Sequence, residues 1–354
     1  MEYEPCPECG VPQLITSSNL WLNSGVIVQS NNTFRRIGFV DSDNLDPLYD
    51  GIAENIGFSI NHLVMDIARR GTLDYGKNLL TPEVLALLKA KVFGLEIVIQ
   101  GMHYVSQSNG LGEYELVQAD EDCSVIRIRK PFSLPLALGT VIGGFEVISD
   151  QRYGVSYKEV EPDVFEVTTR ASGERDEFTK RIPIKAYIHR EGDIEFERCP
   201  TCGGPKALMD FDWALDHGLI INKRTEKRMV LMGPEIQDPF FAELENELGG
   251  TVPEVVIEAQ KNLVKKGFHS MPELNNEGDF RTQLALRGIG NLREMKSGPK
   301  GLRMLIENSS CYLMVAGLAQ GLFEMAFDVE SHVEWDVSEN GDFELEVTPV
   351  KTPK

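Results

Sequence analysis

The chain has 354 residues, 42% of them apolar and 25% charged, with a formal net charge of −20. That length favours two domains over one compact core. The acidic excess opposes duplex binding, which needs clustered Lys and Arg, and repels anionic membranes; no run of eighteen apolar residues offers a membrane span.

In chain order, the first feature is "MEYEPCPECG". Residues 194–203, "IEFERCPTCG", repeat its acid–aromatic–acid lead and its Cys-Pro-x-Cys-Gly. Four of the six cysteines lie in these two stretches, and Cys123 and Cys311 have no short-range partner. The acidic start reads as neither signal nor transit peptide, so the expectation is a cytoplasmic protein whose thiols serve metal or redox chemistry.

After the first cysteine pair, "NLWLNSGVIVQSNNTFRRIGFV" reads as two or three strands. Asp46-Pro47 then suits a helix start. Leu48, Ile52, Ile56, Ile60, Leu63, Val64 and Ile67 continue it as one amphipathic helix. A second helix begins near Thr81-Pro82 and runs to about Tyr104; it is apolar on more than one face, which predicts burial on both sides. The strand pair "YELVQAD" and "SVIRIRK" follows. Next comes the apolar helix "LPLALGTVIGGFEVI", its start delayed or bent by Pro131 and Pro135. The hairpin "YGVSYKEVEPDVFEVTTR" ends this half. The second half gives a helix over 238–266, strands near 290–307, a helix over 312–326 and a hairpin over 331–348.

The halves match in order. A shift of 193 superposes the cysteine turns, 192 puts Asp46-Pro47 on Asp238-Pro239 and Gly57 on Gly249, and 178 puts "GTVIGGFE" on "GLAQGLFE". We read two tandem repeats, 1–170 and 194–354, joined by a charged linker, 171–193. Each is α+β, an antiparallel sheet with helices packed mainly on one face.

The two-residue spacing sets two sulfurs on one side of a tight turn, and Gly lets the backbone curl so that its amides face them. A tetrahedral zinc ion takes four ligands, and each turn offers two. The simplest arithmetic makes Cys6, Cys9, Cys199 and Cys202 one site, the two copies meeting about a pseudo-twofold axis. A redox role for each pair stays open, although such pairs usually sit at helix N-termini and strands are expected here. Turns without metal, or completed by a second chain, also stay open. With four thiolates a zinc ion has no open position, which makes it structural.

"GLGEYE" and "GIGNLR" lack the spacing of a nucleotide loop and read as helix-to-strand turns that need positive φ. His62 and His103 have no histidine counterparts, Glu254 and Arg281 standing roughly in their places. Gly139, Gly143 and Gly144, with Gly317 and Gly321, form small helix faces that something approaches closely, most simply another helix. Neither a catalytic dyad nor a nucleophile is readable.

The Gly-x-Gly turn, strand pair, apolar helix and terminal hairpin together resemble the 4-vinyl reductase domain, a fold related to subunits of the TRAPP vesicle-tethering complex. The resemblance covers roughly 48–170 and 239–348. It implies an α+β domain that pairs into dimers and encloses an apolar cavity for a hydrocarbon or aromatic molecule. By that resemblance the chain is a fused dimer of two small-molecule-binding domains. Many such domains carry metal-binding cysteines near the end; the hairpins here have none, so that site and the reductase name are not carried over. Met65, Met102, His103, Tyr104, Phe132, Phe145, Phe268 and Met271 are the candidate lining, chosen by size and helical phase. A protein adaptor is the alternative function, and a reductase or tetrapyrrole-pathway enzyme a second one.

Overall fold

The computed structural model describes residues 3–350 apart from 91, 93–94, 120–122, 150, 173–187, 234–236, 270 and 272–275, and leaves the side chains of 77–79 and 237 undescribed. Most of the 171–193 linker is therefore outside the described residues. The expected α+β class holds, with helices and antiparallel sheets in the orders below.

The first cysteine turn leads to α1 (Gln13–Ser18), β1 (Asn19–Trp21), β2 (Ile27–Gln29) and β3 (Asn32–Asp41). Next come α2 (Leu45–Ile56), α3 (Asn61–Leu79), α4 (Pro82–Lys89) and α5 (Leu95–Ser108). Then follow β4 (Glu113–Ala119), β5 (Cys123–Arg129), α6 (Leu134–Ser149), β6 (Tyr153–Glu161) and β7 (Val164–Ala171). The second cysteine turn precedes β8 (Phe211–Ala214), β9 (Leu219–Asn222) and β10 (Arg228–Met232). α7 (Gln237–Leu248), α8 (Val252–Lys265) and α9 (Glu277–Leu286) follow, then β11 (Asn291–Gly298), β12 (Gly301–Glu307), α10 (Tyr312–Phe327), β13 (Ser331–Val337) and β14 (Phe343–Pro349). Among the described residues no helix is long and apolar enough to cross a membrane.

The chain divides into two compact units. The first holds Ile60–Lys185 with Ala214–Ile220; the second holds Glu2–Ser59, Ala186–Trp213 and Ile221–Lys354. These units do not coincide with the halves 1–170 and 194–354 expected from the sequence, since Glu2–Ser59 belongs to the second unit.

In the first unit the strand order is β4-β5-β7-β6, and alternate residues of β5 are buried, as one covered face requires. α5 and α6 pack on this sheet, and α3 packs along α6. In the second unit β11-β12-β14-β13 has the same order, with α10 on the sheet and α8 along α10. A further sheet runs β1-β2-β3-β10-β9-β8, and its central pairing sets Phe39 opposite Leu231 and Val40 opposite Val230. Five consecutive residues of β3 are buried, so this strand is covered on both faces.

The helix glycines mark helix–helix contact. A Cβ on Gly139 would stand 2.2 Å from the Met65 carbonyl oxygen of α3, and one on Gly317 2.6 Å from the Ile257 carbonyl oxygen of α8. The "GLG" and "GIG" turns carry positive φ at Gly112 and Gly290, as expected.

One pair of residues escaped the sequence reading. Glu146 on α6 is buried, takes Arg69 Nη1 at 2.7 Å and accepts from the Tyr153 amide at 3.2 Å. Glu324 on α10 does the same with Lys265 Nζ at 2.7 Å and the Ser331 amide at 3.0 Å. Each fixes its helix to a neighbouring helix and to the start of the next strand. Burial works against ionising Glu324, but the hydrogen bonds from Lys265 and Ser331 hold its carboxyl below the usual range.

Three expectations are corrected. The helix expected to run from Leu48 to Ile67 is two, because α2 ends at Gly57 with φ +86° and its amide on Ala53. Likewise 238–266 is α7 and α8, broken at Gly249 with φ +101°. A left-handed residue closes the helix end, and the apolar spacing continues past the break, which hides it. Finally, the 81–104 helix is α4 and α5, and α4 buries no residue; Val84, Leu87, Val92 and Ile97 are all exposed.

Two outcomes are expected here. Gly139→Ala should destabilise the protein by about 1–3 kcal/mol, the usual cost of overpacking, read as a lower melting temperature. Asp238 Oδ2 accepts from the Cys311 amide at 2.9 Å, next to α10, and burial pushes the carboxyl up to about 6 against that bond and the charge of Arg36. A raised carboxyl contributes stability that is full below its unfolded value, about 4, and is lost as pH rises through about 6. Melting curves across that window should show a smaller fall in Asp238→Asn than in the parent.

Candidate metal centre

The site is built by two turns of the second unit. In the first, the Cys6 amide donates to the Val11 carbonyl at 2.8 Å, Gly10 to Cys6 at 2.8 Å and Gln13 to Glu4 at 2.9 Å. In the second, Cys199 donates to Gly204 at 2.9 Å, Gly203 to Cys199 at 2.9 Å and Lys206 to Glu197 at 2.7 Å. Each bond recurs 193 residues later. Isolated bridges Pro5–Pro12 and Arg198–Pro205 close both loops. Gly10 and Gly203 have φ +73° and +72°, and a Cβ on either would meet nothing within 4 Å. The left-handed backbone, and not space, selects glycine there.

This folding brings the sulfurs together. Cys6 Sγ lies 3.8 Å from Cys199 Sγ, Cys9 Sγ lies 3.6 Å from Cys202 Sγ, and all four lie within 4.8 Å of one another. A disulfide would need about 2.0 Å. Four sulfurs about 2.3 Å from a central ion stand about 3.8 Å apart, so the cluster has the size of a four-thiolate metal site. Cys6 and Cys199 are buried, and Cys9 and Cys202 are half-buried.

The surroundings fit such a donor set. The amides of Cys9 and Glu8 point at Cys6 Sγ, those of Cys202 and Thr201 at Cys199 Sγ, and that of Val11 at Cys9 Sγ. The Cys9 amide chiefly pulls the Cys6 thiol down to about 7, while burial pushes Cys9 up to about 12. The Cys6 thiolate is thus favoured while Cys9 resists ionising, an imbalance that a central cation would reverse. The four cysteines could hold a metal, and a tetrahedral sulfur set suits a thiophilic ion.

The turns also touch through a contact that spacing alone did not reveal. Thr201 Oγ1 donates to Glu8 Oε2 at 2.7 Å, and the same oxygen lies 3.6 Å from Cys199 Sγ. The helix-free surroundings expected for the pairs are corrected: α1 follows the first turn, and a 3-10 segment, Lys206–Asp210, the second. Pro12 and Pro205 allow these short turns, but neither element starts at its cysteine pair.

The proposed ligand lining divides between the units. Met65, Met102 and Phe145 meet in the apolar core of the first, with Ile99, Tyr114, Ile126 and Val167; Phe145 packs on Tyr153 with ring centroids 5.2 Å apart. His103 Nδ1 accepts from the Tyr114 amide at 3.3 Å. Tyr104 is half-buried on α5, and Phe132 is buried ahead of α6. Phe268 and Met271 belong to the second unit, where Lys227 Nζ lies 5.0 Å from the Phe268 ring centre.

Replacing Cys6 by Ser should strip the protein of stoichiometric metal, measured by elemental analysis, and lower its melting temperature. A chelator should shift the parent in the same direction.

No family model matches the sequence, and no curated protein matches it. Solved structures with partial likeness include a "Cs H-NOX mutant with unnatural amino acid 4-cyano-L-phenylalanine at site 5", 17% identical over 34% of this chain and 77% of that one, TM-score 0.25. Another is described as "Structural insights into the molecular mechanism of H-NOX activation", 17% identical over 35% of this chain and 81% of that one, TM-score 0.24. Scores this low carry no argument about the fold or function of this chain.

Proposed function

We propose that this protein binds a hydrophobic or aromatic small molecule and that Cys6, Cys9, Cys199 and Cys202 hold a structural zinc ion. Four sulfurs fill the coordination of tetrahedral zinc, so the ion would fasten segments of the second unit together and leave no position for reacting water. In this reading residues 1–170 and 194–354 are tandem copies of a domain resembling 4-vinyl reductase, related by a pseudo-twofold axis, in a cytoplasmic protein. The shared strand order of β4–β7 and β11–β14 supports it, as does the matched anchoring of Glu146 and Glu324.

One observation carries the binding half of the reading. α4 and α5 are apolar, yet Val84 and Leu87 of α4 and Ile97 of α5 stay exposed, as does Val92 between them. The same α5 contributes Met102 to the packed core that contains Met65 and Phe145. Such a weakly covered apolar element gives a nonpolar molecule a route into the core, where its contact with water ends. Met102 would be the inner gate, since its sulfur lies 2.9 Å from where a Gly144 Cβ would stand.

The test is solvent extraction of the purified protein followed by mass spectrometry, with titration by a nonpolar fluorescent dye. A bound apolar molecule, displaced by the dye, is expected. Met102→Trp, which puts a larger ring at the crowded contact with Gly144, should weaken dye binding by about tenfold or more, equivalent to about 1.4 kcal/mol, with metal content unchanged. Recovery of no molecule together with no saturable dye binding would reject the reading.

A further inference from the structure

The four-sulfur site has properties that would matter to an ion able to change its charge. Its sulfurs are unequal. The first cysteine of each turn is buried, and the second is half-buried, so one side of the cluster reaches towards solvent. Backbone amides are directed at Cys6, Cys9 and Cys199. A carboxylate oxygen, Glu8 Oε2, accepts from the Thr201 hydroxyl at 2.7 Å and from the Cys199 thiol at 3.6 Å.

Tetrahedral four-sulfur sets accept zinc or iron, and the ion bound follows availability as well as affinity. With iron, amide hydrogen bonds to sulfur, local charge and solvent exposure are the features that set the reduction potential. All three are present here.

We infer that the four-cysteine site also takes a single iron ion and then acts as a one-electron redox centre whose potential is held down by Glu8. The inference rests on the metal-site half of the reading above and not on the bound small molecule. The step is an electron transfer alone. Ferric iron with four thiolates carries one negative charge; it gains an electron from a reduced flavin or iron–sulfur protein and becomes ferrous, carrying two. No proton moves, and no Fe–S bond forms or breaks. The half-buried Cys9 and Cys202 give the donor its nearest approach. The nearby carboxylate opposes the added negative charge, and the amides favour it.

The experiment uses the full chain, produced once in iron-rich, zinc-depleted medium and once in the reverse, and purified without oxygen. Support would be one iron per chain, a visible sulfur-to-iron absorption that bleaches on adding one electron and returns on reoxidation, and a higher midpoint potential in Glu8→Gln at unchanged iron content. Four results would overturn the inference. Zinc alone in the site from both media would do so and leave the structural reading intact. Loss of iron with disulfide formation at the first oxidation would do so as well. An unchanged potential in Glu8→Gln would remove the tuning role. Absence of both metals from both preparations would overturn the inference and the structural zinc together.

Discussion

The feature on which most of the second unit's organisation turns is the meeting of two cysteine turns, each of which offers two sulfurs where a tetrahedral ion would take four. Its consequence is visible in the backbone, where two loops with the same hydrogen bonds face each other and bring Cys6 to Cys199 and Cys9 to Cys202. In these loops Val11, the inner cysteines and the prolines Pro12 and Pro205 are buried. They also meet through the Thr201–Glu8 hydrogen bond, and Arg198 reaches the Trp21 carbonyl at 2.7 Å. Hydrophobic packing takes over at β3 and β10, whose paired residues are buried.

How much was legible in the sequence depended on how local the cause was. The cysteine turns were readable because ligand type, spacing and glycine conformation all lie within a few residues. The hairpin β6–β7 and the helix α6 were readable for the same reason: their alternation and apolar runs are intrinsic to short windows. The breaks at Gly57 and Gly249 were not, since the helical phase of Ile60, Val64 and Ile67 continues past the turn and only the sign of φ separates the helices. Exposure of α4 was also hidden. Apolar composition states what a segment would prefer to bury, while its actual burial depends on partners far away in the sequence. Glu146 and Glu324 stood inside the matched motifs, yet a carboxylate's partner, here Arg69 or Lys265, comes from another helix and leaves no trace in spacing.

The two covered sheets solve one packing problem with different chemistry. Arg69 is itself buried beside Glu146, so that pair exchanges hydration for two ions in contact and a second bond to Asp66. Lys265 keeps much of its side chain in water while reaching the buried Glu324. Breaking either pair from the carboxylate's side removes an acceptor used by two groups, and breaking it from the cation's side strands a buried acid, which costs more than the intact pair contributes.

The membership of Glu2–Ser59 in the second unit has a consequence for how the chain acquires its shape during synthesis. The first sixty residues leave the ribosome early, but the groups they pair with, among them Cys199, Val230 and Gly288, arrive nearly two hundred residues or more afterwards. Meanwhile the intervening stretch can build α3, α6 and its own sheet from nearby sequence. Closure of the second unit is thus a late, high-contact-order event, and until then two reactive thiols and a strand destined for full burial wait in the open.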